Sequence, residues 1–491
     1  MALPGLSLPG LGLQPASTPA QGNSFAPPIE QVTRTENLPA RSEWRFETSF
    51  GSPYNLRLLG GHAELFGVEL ATNQPYDLSG VQGAIFTWQG CQLEITGEAE
   101  SEYAAEETEY ATEWLNLHGM LETLRSERPS DGPRMLVVGS DNTGKSSLIR
   151  SVAAWGVKAG RTPTVVNLDP RQGLLAPPSS LSAVTLGSQM EVETGFGIAP
   201  TSGPTSMPVK TPLIYHYPYA SPTDRPDVYK ALATRLALST TSKLEEDVTA
   251  KQSGLMVDTP GSLGLTDGKG NISEILHHLI SEFSINVIVS LGPERLTNSL
   301  SKRYSTAKGH EEAIPVLRIA KPGGVAERGE PHMKQLRSRQ IKQYFFGSAN
   351  ESLNPHSHSI PFDNVVIYGA KPLASATETS SYGAAEEEED DYDPYTDNPT
   401  TTASGSGTSN AFFEKVTPSV AMTASLIAIK FCPANSDEST IRDSAVMGFL
   451  YVADVDEGRK KVRFLAPHPQ GWGNRALVWG GWPEAVVDLV T

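Results

Sequence analysis

The amino-acid sequence predicts an α/β protein: a central parallel sheet with helices on both faces, flanked by an N-terminal β-sandwich domain and a C-terminal β-rich domain. Three observations predict it. Apolar runs of parallel-strand type alternate with helical stretches at Val228 to Ser239 and Ile272 to Phe283; the runs are Met135-Leu-Val-Val, Thr164-Val-Val-Asn-Leu, Gly254-Leu-Met-Val and Asn286-Val-Ile-Val-Ser-Leu. The first run leads into a glycine-rich turn and then a helix. Short runs with partial period-two alternation lie on both sides of this region.

In chain order, residues 1–40 are rich in Pro, Gly, Ser and Gln and read as a disordered tail. Residues 41–128 form the N-terminal β domain with a linking helix. Its runs are Trp44-Arg-Phe, Tyr54-Asn-Leu-Arg-Leu-Leu, Ala63-Glu-Leu-Phe, Ala84-Ile-Phe-Thr-Trp and Cys91-Gln-Leu-Glu-Ile, punctuated by Gly60-Gly61, Asn73-Gln-Pro and Gly90. From 103 to 127 the alternation gives way to helical spacing of Tyr110, Trp114, Leu115, Leu117 and Leu121. Residues 129–372 are the central domain. Residues 373–411 form an insert with an acidic run, Glu386 to Asp393, read as a solvated loop, with a docking or phospho-regulated segment as the alternative. Residues 412–491 return to β, with Asp456-Glu-Gly458 as a hairpin turn.

The chain has 491 residues and a formal charge of −17, which suits several domains and a protein-bound or nucleotide-bound role better than an RNA reader. Two cysteines, Cys91 and Cys432, make no metal cluster and fit a reducing compartment. The N-terminus lacks a basic n-region, and no run reaches the roughly 20 apolar residues of a spanning helix. Cytosol or nucleus follows. His277-His278, His356, His358, Tyr344-Phe-Phe, Trp472, Trp479 and Trp482 read as structural residues.

The glycine-rich turn carries the chemistry. Gly139-Ser-Asp-Asn-Thr-Gly144-Lys145-Ser146 matches G-x-x-x-x-G-K-[ST] in full. Glycines let backbone N–H groups point at phosphate oxygens, and the following helix adds the positive end of its dipole. Lys145 places a charge on the β- and γ-phosphates, and the Ser146 hydroxyl suits Mg²⁺. The central sheet is therefore that of a P-loop NTPase. Two aspartates end apolar strands, Asp169 and Asp258, and either can approach the metal or its waters. Asp258-Thr-Pro-Gly261 also fits the D-x-x-G of GTPases, but no N-K-x-D follows it, so ATP is the expected nucleotide.

Further motifs follow in a fixed order. Glu43-Trp-Arg-Phe, Glu64-Leu-Phe-Gly-Val-Glu-Leu, Ile85-Phe-Thr-Trp-Gln-Gly-Cys and Gly132-Pro-Arg-Met-Leu-Val-Val-Gly precede the loop. Asn167-Leu-Asp-Pro-Arg-Gln, Gly292-Pro-Glu-Arg-Leu, Gly323-Gly-Val-Ala-Glu-Arg and Ile341-Lys-Gln-Tyr-Phe-Phe-Gly come after it. This series closely resembles the Clp family of mRNA 3′-end cleavage and polyadenylation factors, in its fungal branch, over roughly residues 40 to 490. The family is related to polynucleotide 5′-hydroxyl kinases.

The resemblance implies ATP held between the first two domains, with Glu43 as the N-domain contact and Asn142, Thr143, Gly144, Lys145, Ser146 and Ser147 as loop contacts. The family's N-domain lysine falls at Gln82. Ser146 and Asp169 are the implied metal partners. Active kinases of the family carry D-x-G-Q; here the sequence is Asp169-Pro-Arg171-Gln172. Of their lid arginines, Arg328 matches one, and Met333 stands in place of its partner. Loss of a charge-stabilising arginine typically costs orders of magnitude in rate. Lys334 is adjacent, but one residue turns a helical side chain by about 100°.

The expected function is therefore a nuclear ATP-binding subunit of the pre-mRNA cleavage and polyadenylation machinery, of cleavage factor IA type. It would be a protein platform for a Pcf-type scaffold and other cleavage factor IA proteins, with indirect contact to pre-mRNA and weak or lost kinase activity. The alternatives are an active polyribonucleotide 5′-hydroxyl kinase, with Asp169 as base and Arg328 stabilising transfer, and a regulatory GTPase.

Overall fold

Alternation along the N-terminal runs becomes a two-sheet sandwich. In the strand Tyr54–Gly61, residues Tyr54, Leu56 and Leu58 point inward and are buried, while their neighbours are half-exposed. One antiparallel sheet orders Thr33–Leu38, Cys91–Gly97, Tyr54–Gly61 and Pro75–Asp77. The other orders Val68–Glu69, Glu64–Leu65, Gln82–Thr87, Ser42–Glu47 and Ser101–Ala105. The computed structural model describes residues 32–105, 109–174, 176–193, 212–267, 270–306, 313–347, 352–371 and 411–489.

Two edge strands differ from the sequence reading. Thr33–Leu38 pairs with Cys91–Gly97 from Thr33↔Thr96 to Leu38↔Cys91, so the expected tail cannot extend to residue 40; residues 1–31 lie outside the described residues. Ser101–Ala105 pairs with Ser42–Glu47, and the linking helix begins only at Glu109 and ends at Glu127. Both strands are mostly polar and half-exposed. Their ladders come from pairing rather than from an apolar pattern of their own.

The central sheet has seven strands in the order Leu213–His216, Ser180–Thr185, Thr164–Asn167, Leu255–Asp258, Arg134–Val138, Val287–Leu291 and Val316–Ile319. The last five run parallel; four of them are the apolar runs read in the sequence, and Val316–Ile319 is an addition. The first two are an addition at the edge: Ser180–Thr185, whose serines and threonine obscure the signal, runs antiparallel to both its neighbours. Arg134–Val138 sits between Leu255–Asp258 and Val287–Leu291, where strand order reverses, the place at which open α/β sheets bind ligands. One face packs against the linking helix, the helix Lys145–Lys158 and the N-terminal sandwich in a continuous core. The other face packs against Pro226–Glu246 and Glu274–Glu282.

The C-terminal sheet corrects two boundaries. Its order is His356–Pro361, Lys461–Ala466, Val446–Asp456, Leu426–Pro433, Arg475–Trp479, Ile367–Ala370 and Phe413–Val416. The C-terminal domain thus starts near residue 356, not 412. Ile367–Ala370 and Phe413–Val416 are paired antiparallel neighbours, so the expected 373–411 insert sits within this domain rather than between two domains. Residues 372–410, the acidic run included, lie outside the described residues. A helix from Glu330 to Phe346 joins the central and C-terminal domains; Tyr344 and Phe345 anchor its end in the C-terminal core. Among the described residues, no helix is long and apolar enough to cross a membrane.

Candidate nucleotide-binding site

The strand Arg134–Val138 delivers the chain to Gly139, and the loop then curls tightly. Asn142 and Gly144 take positive φ values of 54° and 90°, the left-handed region that glycine and asparagine tolerate best. Lys145 opens the helix Lys145–Lys158, with its Nζ donating to the Ser140 carbonyl at 2.8 Å. Thr143 Oγ1 donates to the same carbonyl at 2.9 Å. The Asp258-Thr-Pro-Gly261 turn packs directly under the loop. A Cβ at Gly261 would lie 1.9 Å from Asp141 Oδ1, so only glycine fits there.

Register carries Asp258 to the base of the loop, where it pairs with Val137 on one side and Asn167 on the other. Its Oδ2 accepts from Ser146 Oγ at 2.5 Å, while its buried Oδ1 has no hydrogen-bond partner among the described residues. Burial pushes this carboxyl up to about 6, against the opposing pull of Lys145 and Ser146. Asp169 is also buried, accepting from the Arg171 backbone N–H at 2.9 Å and from Gln172 Nε2 at 3.2 Å. Burial raises its carboxyl too, with Lys145 and the Arg171 amide pulling it down. A hydroxyl, a buried carboxylate with an orphaned oxygen and a second carboxylate nearby form a donor set that fits Mg²⁺, which keeps most of its waters and takes phosphate oxygens.

The loop opens into a cavity of about 320 Å³ walled by both the central and the N-terminal domain. That volume is in the range of small-ligand sites. Glu43 stands on the N-domain wall, fully buried, accepting from Arg45 Nε and Tyr110 Oη. Burial raises its carboxyl, while Tyr110 and Arg45 lower it. Arg45 continues the wall, donating to Tyr103 Oη at 3.3 Å. Gln82 Nε2 donates to Glu47 at 3.2 Å, and its Oε1 accepts from Arg328 Nε at 3.0 Å. Lysine has no acceptor and would repel Arg328 at this place.

The opposite rim is the lid segment Pro322 to Met333. Arg171 bridges the loop and the lid, with Nη1 3.6 Å from Asp141 and Nη2 2.9 Å from Glu330. Met333 is buried against the cavity, whereas Lys334 is exposed and does not line it. The cavity thus brings together Glu43, Gln82, Asn142, Thr143, Gly144, Lys145, Ser146, Ser147, Asp169 and Arg328.

The sequence reading assigns the metal to Ser146 and Asp169 and lets Asp258 approach it as well; the hydrogen bond from Ser146 puts Asp258 directly behind that serine. It also missed Arg45, Tyr103 and Tyr110. The signal for Arg45 was there, because residues i and i+2 of a strand share a face with Glu43. Two of the histidines expected to be structural have hydrogen-bond partners: His277 pairs with Tyr304 Oη at 2.9 Å and His278 with Thr234 Oγ1 at 3.0 Å. Among the described residues no group of three or more His, Cys, Asp or Glu could hold a metal ion by itself.

A phosphate loop at a switch point, with a buried carboxylate behind its serine and a second domain closing the pocket, makes this a P-loop nucleotide-binding protein with two β-rich flanking domains. Comparison with known proteins narrows the class. Residues 37–128 match the N-terminal beta-sandwich domain of polyadenylation factor, 139–347 the mRNA cleavage and polyadenylation factor CLP1 P-loop, and 353–484 the pre-mRNA cleavage complex II protein Clp1. The mRNA cleavage and polyadenylation factor CLP1 of Phaeosphaeria nodorum is 42% identical over 490 residues, 99% of this chain and 100% of its own length. Its counterpart in Botryotinia fuckeliana is 41% identical over 489 residues, with the same coverage. The chain belongs to the Clp1 family of mRNA cleavage and polyadenylation factors.

Solved structures share its fold. A wild-type Clp1p–Pcf11p complex superposes with a TM-score of 0.75 at 22% identity, covering 92% of this chain and 98% of the other. A structure of an extended Pcf11p–Clp1p interface, concerned with ATP loss in a glycine-to-arginine mutant, gives 0.77 at 21% identity with the same coverage.

Proposed function

We propose that the chain is the ATP-binding subunit of the nuclear pre-mRNA 3′-end cleavage and polyadenylation machinery, of cleavage factor IA type, and that it serves as a nucleotide-stabilised platform with weak or lost kinase activity. ATP sits between the N-terminal and central domains. Loop N–H groups and Lys145 hold its phosphates, and Glu43 holds the other end against the N-domain wall. Ser146 and Asp169 hold Mg²⁺, with Asp258 orienting Ser146; bound there, the ion neutralises phosphate charge. A Pcf-type scaffold is the direct partner, and pre-mRNA is reached through such partners. The full-length likeness to curated polyadenylation factors supports the assembly role. The solved Clp1p complexes with Pcf11p support the partner.

The observation that carries the platform reading is the engagement of the two arginines. Arg328 is tied to Gln82, and Arg171 occupies the rim between loop and lid. Phosphoryl transfer needs a lid arginine on the moving group and room for the acceptor. The test is incubation with labelled ATP and a 5′-hydroxyl RNA, together with identification of the nucleotide that co-purifies. Intact ATP in the extract and no label on RNA is the expected result. A second reading, a polyribonucleotide 5′-hydroxyl kinase, is favoured by the buried Asp169 beside Lys145, placed as a base would be. Label on RNA that vanishes in Lys145→Ala establishes it instead. GDP or GTP in the extract returns the chain to the GTPases.

A further inference from the structure

The C-terminal domain reaches the nucleotide pocket without lining it. Beyond its last strand, Arg475–Trp479, the chain runs back toward the central sheet. Trp482 Nε1 donates to the Pro170 carbonyl at 3.1 Å, between Asp169 and Arg171. Its ring lies under the Arg337 guanidinium, 4.7 Å from the centroid. Glu484 accepts from Arg337 Nη2 at 2.6 Å and from its Nε at 2.9 Å. Arg337 is only 2% exposed, and its Nη2 also donates to Glu330 at 2.5 Å. Glu330 in turn holds Arg171, which reaches Asp141 of the phosphate loop. The segment is itself anchored, because Val486 N–H donates to the Ala424 carbonyl and Tyr451 Oη to the Val486 carbonyl.

We infer that Trp482 and Glu484 are positioning residues of the nucleotide site: through Pro170 and Arg337 they fix the Arg171–Glu330 bridge that closes the rim between loop and lid, and so set how long nucleotide stays bound. The inference rests on the nucleotide reading of the pocket. The bridge alone is half-exposed, and such a pair is weak when its side chains are free to wander. Here one carboxylate is pinned by a buried arginine and the loop bearing Arg171 is pinned by an indole. Ordering is supplied in advance, and that is what makes a closing contact hold. The C-terminal domain, whose sheet contributes no residue to the cavity wall, becomes the fixed point against which the lid closes.

The experiment loads the full chain with a ribose-labelled fluorescent ATP and Mg²⁺, then chases with unlabelled ATP and reads the release rate. Arg171→Ala should speed release about tenfold, and Trp482→Phe and Glu484→Gln each by about three- to tenfold. Trp482→Phe keeps an aromatic ring beneath Arg337 but loses the N–H donor together with part of the indole. Combined with Arg171→Ala, it should release no faster than Arg171→Ala alone, because both act through one bridge. A general loss of packing would instead multiply the two effects. Wild-type release rates in Trp482→Phe and Glu484→Gln, or multiplied rates in the double variant, overturn the inference. Should Glu484→Gln fail to fold, Trp482→Phe decides by itself. A wild type that takes up no labelled nucleotide overturns the nucleotide reading as well, whereas a nucleotide-loaded wild type with unaffected variants overturns only this inference.

Discussion

Gly144 turns the phosphate loop into its helix at φ 90°, and a Cβ there would meet nothing nearer than Val325 at 3.4 Å. Space is therefore adequate and the obstacle is backbone strain, about 1–2 kcal/mol for a residue with a Cβ. Gly144→Ala should weaken nucleotide binding by about tenfold in an equilibrium titration while leaving the fold intact by circular dichroism. A titration matching wild type would mean that the loop opens to another conformation before binding. Lys430 is a second residue under constraint. It is buried in the strand Leu426–Pro433 and donates to the Ser444 and Arg442 carbonyls at 2.8 and 3.4 Å. Burial pulls its ammonium down from 10.5 to about 7. Between those values the unfolded chain binds more protons than the folded one, so stability rises with pH across that window. Lys430→Met has no group to titrate and should lose that rise. Denaturant curves at pH about 7 and about 9.5 should show wild type gaining on the variant by on the order of 2 kcal/mol; parallel pH dependence in both proteins would refute this account of Lys430.

The helix Glu330–Phe346 is the element on which the domains depend. Its start holds Glu330 at the pocket rim, and its middle sends Arg339 to the Ser79 carbonyl of the N-terminal domain. Its buried Arg337 faces Glu484, and at its end Tyr344 Oη accepts from the Phe449 N–H at 3.0 Å inside the C-terminal core. Tyr344→Phe removes the hydroxyl, and with it the acceptor of the buried Phe449 N–H. The expected cost is about 1–3 kcal/mol, read as a lower denaturation midpoint. An unchanged midpoint would show that water satisfies the Phe449 amide. The helix was legible as a motif, Ile341-Lys-Gln-Tyr-Phe-Phe-Gly, but its bridging role was not. Its buried charge, Arg337, reads in sequence as one more surface arginine, because one of its two carboxylate partners, Glu484, lies 147 residues away.

Across the whole molecule, nucleotide and chain connectivity do different work. The sandwich, linking helix and central sheet share one core, and the pocket lies between parts that this core holds together. Residues 372–410 join two strands that already face each other, with Ala370 opposite Phe413 and the Lys371 N–H donating to the Phe412 carbonyl at 3.0 Å. Replacing 372–410 by a short Asn-Gly-containing turn should therefore leave thermal stability and nucleotide retention near wild type, since loop length costs only about 0.6 kcal/mol per doubling. A collapse in either property would show that the acidic stretch does more than connect. If it serves partners instead, the shortened chain should lose capture of them with its nucleotide still in place.

The amino-acid sequence suffices for the phosphate loop, the central sheet and the family. These signals are local: a glycine spacing, apolar runs and ordered motifs each lie within a few residues. It also brought Glu43, Gln82 and Arg328 into consideration by resemblance, and Asp169 both by its place at a strand end and by resemblance. Only the tertiary structure decided that Ser146 faces Asp258 across 112 residues, that Gln82 accepts from Arg328 across 246, and that the C-terminal domain begins before the acidic stretch and reaches back to Pro170. The polar edge strands Thr33–Leu38 and Ser101–Ala105 stayed hidden for the same reason. Hydrogen bonds and ion pairs between distant residues leave no periodicity in the chain, because which partners meet is set by how sheets and helices pack.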